Sequence, residues 1–188
     1  AQGTSLSQPK QPLSLYFHIP FCDTICYYCG CSKIVTRNRD LAPIYLQHLH
    51  REIDLQAALF NNRKVKQLHL GGGTPTFLSI SQMTDLMTKA RDSFSLDNSD
   101  SREFSIEIDP RSINPEGIAA LSQIGFNRLS LGVQDFDLAV QKAVNRIQSE
   151  QQTESVLSAA RAHGFSSVSI DLIYGLPKQS TDSFTTTL

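Results

Sequence analysis

The sequence predicts an α/β fold built on a parallel sheet, and three observations carry the prediction. Short strand-like runs alternate with helix-like runs, helix starts and stops carry cap residues, and the strand runs share one apolar and one polar face. Leu13–Ile19 alternates apolar and polar residues as a strand does, and a helical stretch follows over Leu41–Phe60 with Pro43 in its first turn. Val65–Leu70 is a second strand that runs into Gly71-Gly72-Gly73. Ser79 and Gln82 form a capping box for a helix whose Met83, Leu86, Met87 and Ala90 lie on one face. Phe104–Ile108 is a third strand, and the helix after it has Asn114 as cap, Pro115 at the first position and Gly125 at its end. Leu129–Val133 and Val168–Leu172 are the fourth and fifth strands, with helical segments at Asp137–Asn145 and Thr153–His163 between them. Gly125-Phe126-Asn-Arg-Leu-Ser130 and Gly164-Phe165-Ser-Ser-Val-Ser169 form a weak internal repeat, each closing a helix and opening a strand.

One alternating set of strand positions is apolar throughout (Phe17, Leu70, Ile106, Leu131 and Ile170 among them) and is expected to pack beneath the helices. The other set holds Tyr16, His18, His69, Ser105, Glu107, Asp109, Ser130, Gln134, Ser169 and Asp171. A flat doubly wound sheet buries both faces in apolar residues. A polar face in every strand suits a curved sheet around a wet cavity: a parallel β/α partial (TIM-like) barrel with five of about six βα units present and its site at the C-terminal strand ends.

The 188 residues suit one domain, at roughly 150 residues per domain, and 40% hydrophobic with 19% charged residues is ordinary for a soluble protein with a core. Ala1–Pro12, rich in Gln, Ser and Pro, reads as a flexible lead-in, and 13–188 as the folded domain. A helix opening near Asp182 meets the end of the chain, so the domain is expected to be truncated at its C-terminal side and the isolated chain to be inactive. A net charge of −1 without a basic block gives no reason to expect nucleic acid. The absence of a long apolar run or signal-peptide layout gives none to expect a membrane, and the reading is cytoplasmic.

Cys22, Cys26, Cys29 and Cys31 fall within one short stretch, too close for unstrained disulfides. Clustered thiolates in a reducing compartment point to metal or redox chemistry. Cys22-x-x-x-Cys26-x-x-Cys29 supplies three ligands for the four irons of a [4Fe–4S] cluster and leaves one iron open. A structural zinc site using the same cysteines with Cys31 or His18 is the alternative, although such sites usually join two separated pairs.

The three-cysteine loop after the first strand, Tyr28 before its third cysteine, and Gly71-Gly72-Gly73-Thr74-Pro75 after the second strand resemble the radical S-adenosylmethionine superfamily. Within it, further stretches resemble the oxygen-independent coproporphyrinogen III oxidase family. They are His18-Ile-Pro-Phe-Cys22, Cys29-Gly-Cys-Ser-Lys-Ile-Val-Thr-Arg37, Ile106-Glu-Ile-Asp-Pro-Arg111, Phe126-Asn-Arg-Leu-Ser-Leu-Gly-Val-Gln-Asp-Phe136, Val144-Asn-Arg146 and Ile170-Asp-Leu-Ile-Tyr-Gly-Leu-Pro-Lys-Gln179. Haem chaperones of the same superfamily share His-Ile-Pro-Phe-Cys but differ after the third cysteine; they are the alternative reading.

The resemblance implies a [4Fe–4S] cluster on Cys22, Cys26 and Cys29, with two S-adenosylmethionine molecules beside it. Tyr16, Gly72 and Glu107 would contact the first of these; Tyr28, Gly73, Thr74, Gln134, Arg146 and Asp171 would contact the second. It further implies that a 5′-deoxyadenosyl radical drives decarboxylation of coproporphyrinogen III to protoporphyrinogen IX. An external one-electron donor, flavodoxin- or ferredoxin-like, and a monomeric enzyme go with it. Cys31 is not expected to ligate iron. His18 is expected to hydrogen-bond a cluster sulfur, and Lys33, Arg37 and Arg111 are candidates for substrate carboxylates.

Overall fold

The computed structural model describes residues 11–60 and 63–188. Most of the expected lead-in, residues 1–10, lies outside the described residues; Gln11, at its end, accepts two hydrogen bonds through its carbonyl from the Arg63 guanidinium. In chain order the strands are β1 (Leu13–Ile19), β2 (Phe21–Cys22), β3 (Ile34–Val35), β4 (Lys64–Gly72), β5 (Ser95–Leu96), β6 (Glu103–Ile108), β7 (Arg128–Gln134) and β8 (Ser167–Leu172). The helices are α1 (Leu41–Ala57), α2 (Ile80–Ser93), α3 (Pro115–Ile124), α4 (Leu138–Ala143), α5 (Glu150–Ala162) and α6 (Thr181–Thr187).

The main sheet runs β1-β4-β6-β7-β8 with every pairing parallel, and β5 adds two residues beside β4. The five long strands thus lie in the order in which the chain makes them. A doubly wound sheet reverses its order at a switch point, whereas a β/α barrel winds one way, so the topology is that of a partial barrel.

The caps read from the sequence form. Ser79 and Gln82 close a capping box on α2, and Asn114 accepts from the Gly117 amide at the start of α3. Gly125 ends α3 in a left-handed conformation, and Gly164 repeats it after α5. Phe126 and Phe165, next in each copy of the repeat, are both buried. The apolar strand faces meet the buried sides of the helices in one core that includes Leu46, Ile53, Met83, Leu86, Leu121 and Val156.

Three expectations need correction. The second strand does not stop at Leu70: β4 continues through Gly71 and Gly72, because β1 still runs alongside and pairs His18 and Ile19 with them. The first helix ends at Ala57, three residues short of Phe60. The apolar face of β8 is not covered like the others, and Ile170 is 45% exposed, since β8 is an edge strand among the described residues.

Candidate cluster and cofactor site

The cysteine loop leaves the sheet at the C-terminal end of β1 and is pinched at its base by the pairing of β2 with β3. There the Pro20 carbonyl accepts from Ile34 N–H at 2.7 Å and the Cys22 carbonyl from Thr36 N–H at 2.8 Å. The glycine segment runs directly beside it, with Gly73 N–H donating to the Ile19 carbonyl and Thr74 N–H to the Phe21 carbonyl, both at 2.8 Å. A Cβ on Gly73 would stand 2.7–2.8 Å from backbone atoms of Pro20 and Phe21, closer than real contacts allow. Gly72 has φ +116, a conformation that glycine adopts without strain. Gly73 therefore makes room first for the cysteine loop itself.

Cys22, Cys26, Cys29 and Cys31 are all unpaired and line one cavity of about 580 Å³. Around it stand Tyr28, Gly72, Gly73, Thr74 and Arg146, and from the polar strand face Glu107, Gln134 and Asp171. Tyr16 is the one expected cofactor residue outside that lining; it is 55% exposed on β1. Its ring stacks on His69 at 5.7 Å between centroids, and its hydroxyl donates to His18 Nδ1 at 3.0 Å.

His18 Nε2 donates to the Ser32 carbonyl at 2.8 Å, so both ring nitrogens are committed and neither meets a sulfur. That corrects the expected role of His18. Its contact with Ser32 instead braces the cysteine loop. His69, for which the sequence offers no role, places Nε2 at 3.0 Å from Glu107 Oε1 and Nδ1 at 2.6 Å from Ser105 Oγ. An ionised carboxylate only accepts, so the tautomer with Nε2–H fits, and Ser105 donates to Nδ1. Glu107 Oε2 accepts from the Gly72 amide at 3.2 Å.

Thr74 Oγ1 donates to Cys22 Sγ at 3.5 Å, and Arg146 Nη1 to Cys26 Sγ at 3.6 Å. Burial pushes the Cys22 thiol above its usual range. Burial alone would also raise Cys29, but hydrogen bonds from Cys31 and the Lys33 ammonium outweigh it and hold that thiol below its usual range. Lys33 Nζ donates to the Cys29 carbonyl at 2.8 Å. Arg37 is not part of the cavity lining, whereas Lys33 and Arg111 are.

Arg146 is not the solvated surface arginine that its place outside the strands suggests; it is 8% exposed. Nη1 pairs with Asp109 Oδ2 at 3.1 Å and Nη2 donates to the Gly132 carbonyl, while its Nε is buried without a partner. Asp109 also holds Arg111 in a forked pair, with contacts of 2.7–3.2 Å. Burial would raise the Asp109 carboxyl, and the two guanidiniums more than reverse it, leaving it below the usual carboxylate range. The sequence also missed Asn145, whose Nδ2 donates to the Ile25 carbonyl at 2.7 Å. Tyr28 packs against Val140, Val144 and Leu176 as well as lining the cavity.

The donor set suits an iron–sulfur cluster. Three thiols face one cavity, hydrogen-bond donors reach two of their sulfurs, and the cavity wall beyond them is polar enough to take a charged cofactor. Oxygen-independent coproporphyrinogen III oxidase of Escherichia coli is 53% identical over 180 residues, 96% of this chain and 39% of that protein. The enzyme of the same name from Pseudomonas aeruginosa is 51% identical over 178 residues, again 39% of its length. The chain thus spans about two fifths of these relatives. The solved structure described as coproporphyrinogen III oxidase (HemN) from Escherichia coli, a radical SAM enzyme, superposes with a TM-score of 0.94 at 50% identity. That match covers 99% of this chain and 42% of the other. A radical S-adenosylmethionine methyltransferase from Kitasatospora setae shares the fold at 13% identity and a TM-score of 0.63. The Radical SAM superfamily profile matches residues 16–188, and the chain belongs to that superfamily, whose cofactors are a [4Fe–4S] cluster and S-adenosylmethionine.

Proposed function

We propose that this chain carries the cluster and cofactor site of an oxygen-independent coproporphyrinogen III oxidase. The convergence of Cys22, Cys26 and Cys29 with Gly72, Glu107, Gln134 and Asp171 on one cavity is the observation that carries the reading. The identity above 50% to enzymes of that name supports the substrate. Cys22, Cys26 and Cys29 hold the cluster. Tyr16, Gly72 and Glu107 serve one S-adenosylmethionine molecule, and Tyr28, Gly73, Thr74, Gln134, Arg146 and Asp171 a second.

The side chains suit these tasks. Glu107 has both oxygens anchored from within the protein and keeps acceptor capacity for a cationic amino group. Asp171 accepts from the Ser130 hydroxyl at 2.7 Å, which orients its carboxylate on the inner face of β8. Gln134 holds φ 71, an uncommon conformation for a residue with a side chain, at the end of β7. Such strain collects at functional positions. When bound, the cluster and S-adenosylmethionine would supply the reducing electron and the 5′-deoxyadenosyl radical. The protein's part is to position these groups.

The overall conversion takes two propionate groups of coproporphyrinogen III to vinyl groups with loss of carbon dioxide. Each decarboxylation oxidises the substrate by two electrons, one leaving with the hydrogen atom taken by the 5′-deoxyadenosyl radical and one passing to an external acceptor. A one-electron donor of flavodoxin or ferredoxin type would supply the electron spent on S-adenosylmethionine. A cytoplasmic setting suits the four unpaired cysteines. An anaerobic assay for the vinyl product, on a protein of the relatives' full length that carries this chain and with Cys29→Ser as control, tests the reading. Vinyl product that depends on Cys29 supports it; cofactor cleavage without any vinyl product contradicts it.

A further inference from the structure

The segment Val144-Asn145-Arg146 touches the cysteine loop at three consecutive points, although more than a hundred residues separate them. The Val144 carbonyl accepts from the Tyr27 amide at 3.0 Å. Asn145 Nδ2 donates to the Ile25 carbonyl at 2.7 Å, and Arg146 Nη1 reaches Cys26 Sγ at 3.6 Å. The three loop residues that are met, Ile25, Cys26 and Tyr27, lie between the first and third cysteines. The base of the loop is already closed by β2 and β3, so these contacts fix its tip.

Asn145 is shaped for that task. It sits just past α4 with φ 56, a left-handed conformation that asparagine tolerates better than most residues. That turn lets the backbone present the Val144 carbonyl while the side chain of Asn145 reaches the neighbouring Ile25 carbonyl. Arg146, held by Asp109 and the Gly132 carbonyl, ties the same segment to the ends of β6 and β7. A loop that must present three thiolates to one cluster gains from being fixed before the cluster binds, because its ordering cost is then met by the fold.

We propose that Asn145 is a positioning residue for the iron–sulfur cluster, acting through the Ile25 carbonyl to hold the tip of the cysteine loop. The proposal rests on the assignment of Cys22, Cys26 and Cys29 as cluster ligands. Two variants separate its parts. Asn145→Gly keeps the left-handed backbone and removes the amide; Asn145→Asp keeps the shape and turn preference and removes the donor.

The test uses two readouts on this chain: amide hydrogen exchange at Tyr27 in the cluster-free protein, and loss of iron to a chelator after anaerobic reconstitution. Both variants should exchange the Tyr27 amide faster, on the order of five-fold, the worth of one hydrogen bond. They should also lose iron faster by a similar factor, with melting temperature little changed because Asn145 is an exposed side chain. Unchanged exchange overturns the clamp. Faster exchange with unchanged iron loss overturns the positioning role. A wild-type chain that takes up no cluster iron instead contradicts the cysteine assignment, whatever the exchange shows.

Discussion

His69 Nε2 lies 3.0 Å from Glu107 Oε1, and the other oxygen of that carboxylate accepts from the Gly72 amide at 3.2 Å. The carboxylate is thereby fixed from two sides, by a ring on β4 and by the backbone two residues beyond Leu70. His69→Phe removes one of these anchors while keeping a ring to stack on Tyr16. The expected result is about tenfold weaker S-adenosylmethionine binding, the worth of a hydrogen bond to a charged group. His69→Gln should recover part of it. Gly71→Ala should act in the same direction, because its Cβ would stand 2.8 Å from Glu107 Oε1 and 2.9 Å from His69 Nε2. Equilibrium binding to the reconstituted protein measures all three, and unchanged affinity in His69→Phe contradicts the role given to the pair.

Asp109, its side chain 12% exposed, sits between Arg111 and Arg146, and its carboxyl is held below the usual carboxylate range. A depressed carboxylate contributes stability that is fully present above its unfolded value, near pH 4. That stability is lost as the pH falls below this through the native value. Asp109→Asn leaves two guanidiniums without their counter-charge and is expected to cost about 3–5 kcal/mol at neutral pH. The variant should also lose stability less steeply than wild type on the acid side. Urea unfolding across the pH range checks both, and parallel acid limbs in the two proteins count against the ion pair.

Gly73→Ala tests the close passage of the glycine segment beside the cysteine loop. Its Cβ would meet Pro20 and Phe21 backbone, which has no rotamer by which to move aside. Overpacking of this kind costs about 1–3 kcal/mol, and the displaced loop should hold less iron. Iron per chain and the thermal midpoint are the measurements, and a variant equal to wild type in both disproves the contact.

The four cysteines should divide three to one. Cys22→Ser, Cys26→Ser and Cys29→Ser should each abolish cluster binding, while Cys31→Ser should retain it, Cys31 being the exposed one of the four. Iron and sulfide analysis of the four variants decides the matter, and a dependence on Cys31 equal to the others would restore a four-cysteine site.

The sheet was legible in the sequence because period-two alternation marks half-buried strands, and α2 and α3 because their caps are local signals. The continuation of β4 through Gly71 and Gly72 was not, since glycine reads as a turn and only pairing with β1 reveals the strand. The polar strand face did pick out Glu107, Gln134 and Asp171, which line the cavity. The burial of Arg146 and the reach of Asn145 were hidden, because their partners lie far away in the chain and no local pattern encodes them. His18 shows the opposite case: its place beside the cysteines suggested a sulfur partner, but Tyr16 and Ser32 take both nitrogens.

The most direct test of the account is the paramagnetic resonance spectrum of the anaerobically reconstituted, reduced protein, recorded before and after adding S-adenosylmethionine. The expected result is a reduced [4Fe–4S] signal that changes on addition, because one iron without a cysteine ligand accepts the cofactor. One equivalent of zinc with no cluster signal, or a cluster signal indifferent to the cofactor, contradicts it.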